Sequence, residues 1–243
     1  MTSTGTLAGV DTELLRRGGI TATVSGPVAT ITLDRPATKN AQTPATWRAL
    51  AAVGESLDPA VRVVVLTGAG ETFSSGLDRR MLGGAGVDGE PPLTALLALS
   101  DEEVADTIAG YQDGFTWLRR TDIVSVAAVQ GHAIGAGFQL ALACDLRVLA
   151  DDALLSMREP MLGLVPDLTG TKPLVELVGY ARALEICATS RWVSAEEAGQ
   201  IGLATAVVPR DELTATVADL VAALTAAPAG AVSETKALLQ SAA

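Results

Sequence analysis

Apolar positions along the chain change period several times, and each change marks an element. Thr21–Val24 and Val28–Leu33 alternate around Ser25-Gly26-Pro27, which predicts a hairpin. Thr43 followed by Pro44 is a cap with proline at the first helical position, so a helix is expected from there to about Leu57. Val61–Thr67 and Ile123–Val129 are β-branched runs suited to buried strands. Leu93–Leu118 reads as helical, in pieces around Ser100-Asp101 and Gly110, and Phe138–Cys144 as an apolar helix. Leu146–Ala150 and Leu154–Met157 follow as strands, then short helices at Pro173–Val178 and Ala181–Ala188 divided by Gly179. Ser194 caps a further helix, and Leu203–Val208 is a strand stopped by Pro209. Asp211–Ala226 and Ala231–Ser241 are amphipathic helices, with Leu213, Val217, Leu220, Val221 and Leu224 on one stripe. Residues 1–19 read as a flexible lead, and the Gly/Pro-rich Gly83–Pro92 as a mobile loop.

Strands that alternate with helices define an α/β chain with a mainly parallel core. Counting elements leaves a doubly wound sheet open. Glycine elements at Gly76 and Gly135 each follow a strand and hint at repeated turns of a spiral. The chain has 243 residues with 49% hydrophobic and only 3% aromatic, so a large aliphatic core is expected. A formal charge of −11 argues against nucleic acid as a partner, and an anionic ligand would need a local basic patch. Two cysteines, Cys144 and Cys187, make no disulfide framework and read as buried thiols in helices. A lone His132 with no Cys/His cluster gives no metal-site signature. The opening residues lack a leader pattern, and no stretch reaches the ~18 uninterrupted apolar residues of a membrane span, so a soluble cytoplasmic protein is expected.

The chemistry concentrates in Ile123–Asp145: a buried strand, a turn with Gly131, Gly135 and Gly137, then an apolar helix. The first N–H groups of a helix have no internal acceptor, and glycine lets a ligand approach them. This stretch reads as half of an oxyanion hole. Its glycines are spaced GxxxGxG, so the dinucleotide fingerprint GxGxxG is not met.

Three stretches together resemble the enoyl-CoA hydratase/isomerase (crotonase) family. They are Ile31–Pro36 through Asn40-Ala41, Val64–Gly68 through Phe73–Asp78, and Ala127–Gly137. Leu162–Pro166, Gly170-Thr171 and Val193–Ala198 through Gly202-Leu203 extend the likeness to roughly residues 20–225. The resemblance implies a spiral of ββα units over 20–190 and a C-terminal helical part over 191–243 that packs trimers, or hexamers made of them. It implies an acyl-CoA thioester substrate and no cofactor beyond the coenzyme A that the substrate carries. By position, the thioester oxygen would be held by the backbone N–H groups of Leu77 and Ala136, with Gly76, Gly135 and Gly137 shaping the two turns. Arg35 and Lys39 would meet the anionic coenzyme, with Arg79 and Arg80 as further candidates and Asp78 beside them.

Family hydratases use two glutamates. The later position matches Glu159, but the earlier one is Gln139, whose amide orients water and cannot exchange a proton at neutral pH. That favours isomerase-type proton transfer by Glu159 over hydration. Asp167 is a second candidate acid/base, as in the family's dienoyl isomerases. Structural alternatives stay open: Glu159 paired with Arg158, Asp167 capping a helix that begins near Thr169, Gln139 as a buried helix amide, His132 packed near the turn. The chain also stops earlier than relatives do, which implies a more open pocket. Two readings stand beside catalysis: a non-catalytic acyl-CoA binder, and a scaffold subunit of mixed trimers.

Overall fold

The computed structural model describes residues 5–7 and 9–242. In chain order it has β1 (Gly5–Thr6), α1 (Thr12–Gly18), β2 (Ile20–Ser25), β3 (Val28–Leu33), α2 (Pro44–Glu55), β4 (Val63–Gly68) and α3 (Asp101–Thr116). Then come β5 (Val124–Val129), β6 (His132–Ile134), α4 (Ala136–Ala143), β7 (Leu146–Ala150), β8 (Leu154–Ser156), α5 (Thr171–Val178) and α6 (Tyr180–Thr189). β9 (Val193–Ser194), α7 (Ala195–Gln200), β10 (Ala206–Val208), α8 (Leu213–Ala226) and α9 (Ala229–Ala242) complete it.

Two sheets share these strands. Seven form one sheet in the order β1-β2-β3-β4-β5-β7-β10, and β6-β8-β9 form a smaller one. From β3 to β10 the large sheet is parallel, and the β2–β3 hairpin closes it antiparallel. After β5 the chain crosses into the small sheet as β6 and then enters α4; after β7 it crosses again as β8. Parallel bridges Gln42↔Leu77 and Ser74↔Ala133, with the pair Ala133↔Leu155, stack these crossings on one another. The repeated unit is therefore strand, strand, helix, wound as a spiral, and not a doubly wound sheet. Gly131 makes the first crossing possible: its φ is +57°, and a Cβ there would lie 2.2 Å from the carbonyl oxygen of Glu71.

Aliphatic packing holds the layers together. All eight residues of α4 are buried, which accounts for its apolar composition on every face. The α8 stripe packs Leu213 and Val217 onto Val63, Val126 and Val148, with Leu220, Val221 and Leu224 at its margin. Among the described residues no single helix is long and apolar enough to cross a membrane; α8 and α9 meet at a bend of 102°. Cys144 is fully buried and burial pushes its thiol up to about 12, whereas Cys187 is half-buried.

Several expectations need correcting. Of the supposed flexible lead, Thr12–Gly18 is a helix capped by Asp11, whose carboxylate accepts the Glu13 N–H, and Leu15 is buried. Gly18 lets it approach α2, since a Cβ there would sit 2.5 Å from the Cβ of Ala49. Residues 1–4 and 8 lie outside the described residues. Gly83–Pro92 is tied down rather than loose: buried Glu90 pairs with Arg48 and with Arg17 at 3.4 Å, and Asp88 pairs with Arg35 at 3.2 Å. Those partners lie far away in sequence, so local composition hid them. Leu93–Ala98 is a 3-10 segment, α3 begins after the Ser100 cap, and Gly110 lies inside it. α4 starts at Ala136, before Phe138, and β6 occupies what had read as turn.

The C-terminal helix is pinned by charge. Lys236 on α9 donates to Asp145 Oδ2 at 2.6 Å, to the Ile123 carbonyl at 2.8 Å and to the Arg120 carbonyl at 2.7 Å. Lys236→Met is expected to strand these acceptors and to cost about 3 kcal/mol. Urea unfolding of both proteins measures this; a loss under ~1 kcal/mol would contradict the anchoring role.

Candidate active site

The site lies where two stretches of backbone pair and then part. Ser74 N–H donates to the His132 carbonyl at 2.9 Å, and Ile134 N–H donates back to Ser74 O at 3.0 Å. Beyond Ile134 the second stretch turns into α4 through Gly135 (φ 51°, ψ −119°), so the ladder stops. On the first stretch, Gly76 O and Asp78 N–H both face Gln42 at 2.8 Å. Successive residues of an extended chain face opposite ways, so Leu77 N–H is turned from Gln42. Neither Leu77 N–H nor Ala136 N–H has an acceptor among the described residues.

Glycines bring the turn before Leu77 onto the start of α4. Gly76 has φ +81°, and a Cβ there would lie 2.2 Å from Ile134 O and 3.3 Å from Ala136 N. Gly137 lets α4 settle on Ser74, whose carbonyl would be 2.7 Å from an added Cβ. Ser74 itself is buried, accepts Gly76 N–H at 3.1 Å and donates to Asn40 O at 2.8 Å, fixing the turn from below. Sequence reasoning did not single it out.

Glu159 opens the 3-10 turn Glu159–Leu162 beside this point. Its carboxylate lies against Gly135: a Cβ there would be 3.2 Å from Oε1 and 3.4 Å from Oε2. Oε1 accepts the Gln139 amide N–H at 2.7 Å, and Oε2 is buried without a partner. Burial, chiefly, raises the Glu159 pKa, and the negative charge of Asp167 adds to it; its own backbone N–H, then the Gln139 amide and the Arg158 backbone N–H, work against that. Asp167 is itself raised by burial. It does not cap α5, whose N-cap is Gly170 and carries no side-chain cap bond. Arg158 does not pair with Glu159; its guanidinium lies 4.4 Å over the Trp192 ring. His132 packs edge-on against the same ring at 5.7 Å.

These groups open into one cavity of about 740 Å³, lined by Leu77, Gly135, Ala136, Gln139, Glu159 and Asp167 among others. Apolar walls come from Leu93, Leu96 and Leu97, from Ile108 and Tyr111 on α3, and from Trp47; sequence reading had not placed these. They are scattered over three segments, so no local motif could have announced them. Lys39 and Arg79 stand exposed on the cavity edge. Arg35 and Asp78, expected to bind substrate, are not in its lining. Asp78 is buried, bonded to Arg80 at 2.7 Å and near Arg35 at 3.7 Å, and the Arg80 bond lowers its pKa. Arg35 also donates to the Ala41 carbonyl at 3.0 Å, so this ion-pair group braces the loop behind the site.

Comparison with known proteins gives the family of the chain. A family model described as enoyl-CoA hydratase/isomerase matches residues 23–243. A Thermobifida fusca YX protein described as an enoyl-CoA hydratase, in complex with acetoacetyl-CoA, is 56% identical with a TM-score of 0.92, over 96% of this chain and 90% of that one. A second structure from that organism, in complex with CoA, is 54% identical with a TM-score of 0.91, over 97% of this chain and 90% of that one. Carnitinyl-CoA dehydratase of Salmonella enteritidis PT4 is 37% identical over 197 residues, 79% of this chain and 68% of the relative.

The carboxylate pair yields a measurable sign. Asp167→Asn removes a negative charge that opposes ionisation of Glu159, so the Glu159 pKa is expected to fall toward the ordinary carboxylate range. A carboxyl-detected NMR titration of both proteins tests this, and a Glu159 midpoint that stays put or rises would refute the coupling.

Proposed function

The chain belongs to the enoyl-CoA hydratase/isomerase family, and from there we propose that it moves the double bond of a 3-enoyl-CoA into conjugation with the thioester. It is an acyl-CoA thioester enzyme; the bond shift is the finer reading. The carrying observation is the pair of unpartnered amides, Leu77 N–H and Ala136 N–H, beside the buried carboxylate of Glu159.

Deprotonation next to a thioester places negative charge on the carbonyl oxygen. Two fixed N–H donors aimed at that oxygen favour the enolate, and one such donor commonly contributes about 3 kcal/mol. Glu159 takes a proton from C2, the C2–H pair delocalises over oxygen and C4, and the same carboxyl returns the proton to C4. Atoms and charge balance with one acid/base and no water. The raised pKa of Glu159 makes it a stronger base than an exposed glutamate once ionised, and a deliverable acid once protonated. Gln139 supports this reading, because the position that holds a second glutamate in the resemblance carries an amide already bonded to Glu159. Lys39 and Arg79 at the rim suit the anionic coenzyme, and the reaction needs no other cofactor. Copies would associate as trimers through the C-terminal helical part, where Leu238 and Leu239 are 71% and 67% exposed.

The names of the relatives favour a second reading, reversible hydration: water oxygen adds to C3 and its proton passes to a carboxylate, while Glu159 delivers a proton to C2. Asp167 would then hold the water. Two assays separate these readings. Conjugated thioester absorbance appearing from trans-3-hexenoyl-CoA marks isomerisation, and its loss from trans-2-hexenoyl-CoA marks hydration. Glu159→Gln is expected to lower the active direction by at least about a hundredfold. A rate within a few-fold of the unaltered enzyme would remove Glu159 from the chemistry.

A further inference from the structure

We propose that Gln139 is a positioning residue that commits Glu159 to one reacting oxygen and locks it to the Leu168–Gly170 wall of the cavity. The inference rests on Glu159 being the acid/base of the preceding reading. It concerns a side chain for which a buried amide or a water-orienting role had been the expectation.

The side chain of Gln139 is fully buried and uses both ends. Its carbonyl oxygen accepts Leu168 N–H at 2.9 Å and Gly170 N–H at 3.2 Å, while its amide nitrogen donates to Glu159 Oε1 at 2.7 Å. Those bonds fix the orientation of the amide: an oxygen turned toward Glu159 would face a carboxylate and leave two backbone donors without an acceptor. Gln139 is thus the side-chain donor to the carboxylate, and it meets Oε1 alone. Oε2, buried and unpartnered, is left as the atom that exchanges a proton.

Placement on α4 adds a second link. Gln139 lies one turn after Ala136, and its own N–H donates to Gly135 O at 2.9 Å. The helical turn that presents one thioester-facing amide therefore also carries the clamp on the acid/base. Gly170 packs so closely that a Cβ there would be 2.7 Å from Gln139 Cγ. Leu168 and Asp167 line the cavity, so the clamp joins the acyl wall, the carboxylate and the amide in one rigid unit. A glutamate in place of Gln139 would put a second carboxylate where the donor now stands, and the pair would have to share a proton.

The test uses Gln139→Met, which keeps volume and deletes both bond types, and Gln139→Glu, which keeps the acceptor for the loop and deletes the donor. Three readouts apply: kcat and KM for trans-3-hexenoyl-CoA across pH, acetoacetyl-CoA affinity by calorimetry, and the carboxyl NMR titration of Glu159. The charged or titratable groups around that carboxylate are Asp167 on the loop, Arg158 beside it and Cys187 on α6, all unchanged in both variants. For Gln139→Met, kcat is expected to fall by about a hundredfold with acetoacetyl-CoA affinity within ~3-fold, and the Glu159 midpoint to rise because a bond to its charged form is lost. Gln139→Glu should raise the midpoint further. A midpoint unchanged in both variants, or a loss confined to KM, overturns the positioning role. Should Gln139→Met not fold, the midpoint in Gln139→Glu alone decides. Full turnover in Glu159→Gln would instead overturn the catalytic reading, whatever the Gln139 variants do.

Discussion

Two parallel stretches of backbone must pair and then separate within three residues, and everything at the site depends on that separation. Residues 74 and 132–134 exchange ladder bonds; past them, one stretch becomes α4 and the other turns toward Gln42. An amide left without a partner ordinarily costs about 1–3 kcal/mol when buried. Here two of them border a cavity, and the surroundings keep them from collapsing onto nearer acceptors. Ser74 Oγ takes the Gly76 N–H that would otherwise compete, and Gly76 and Gly135 adopt φ values that side chains resist. Gly76, Asp78 and Gly135 beside them each donate elsewhere.

The same logic governs the carboxylate. Burial pushes Glu159 toward its neutral form, and its own backbone N–H, the Gln139 amide and the Arg158 backbone N–H pull it back. Additional N–H donors at Oε2 would hold it as a spent anion. Gln139 is the one side chain among the donors that pull it back, while the negative charge of Asp167 opposes ionisation. That arrangement suits a group asked to take up and release the same proton.

Much of this was readable in residue order. The β-branched runs at 61–67 and 123–129, the Thr43-Pro44 and Ser194 caps, and the glycine turns at Gly76 and Gly135 each declare a local geometry. Leu77, Ala136, Glu159 and Gln139 meet because those geometries are repeated by the spiral. What stayed hidden depends on distant partners. Arg35 and Asp78 look like ligand-binding charges in a polar loop until each finds the other. Residues 12–18 look loose until Gly18 meets α2, and the apolar cavity walls are assembled from segments that share no motif.

One wall of the cavity is held differently from the other. Leu168–Gly170 hangs on a neutral amide, whereas the segment bearing Leu93, Leu96 and Leu97 follows a loop fastened by Glu90 and Asp88 to arginines that are partly open to water. Fastenings of that kind weaken as dissolved ions accumulate, while an amide bond between uncharged groups scarcely notices them. Dissolved salt is thus expected to loosen the wall that carries Leu93, Leu96 and Leu97 and to leave the Leu168–Gly170 wall as it is.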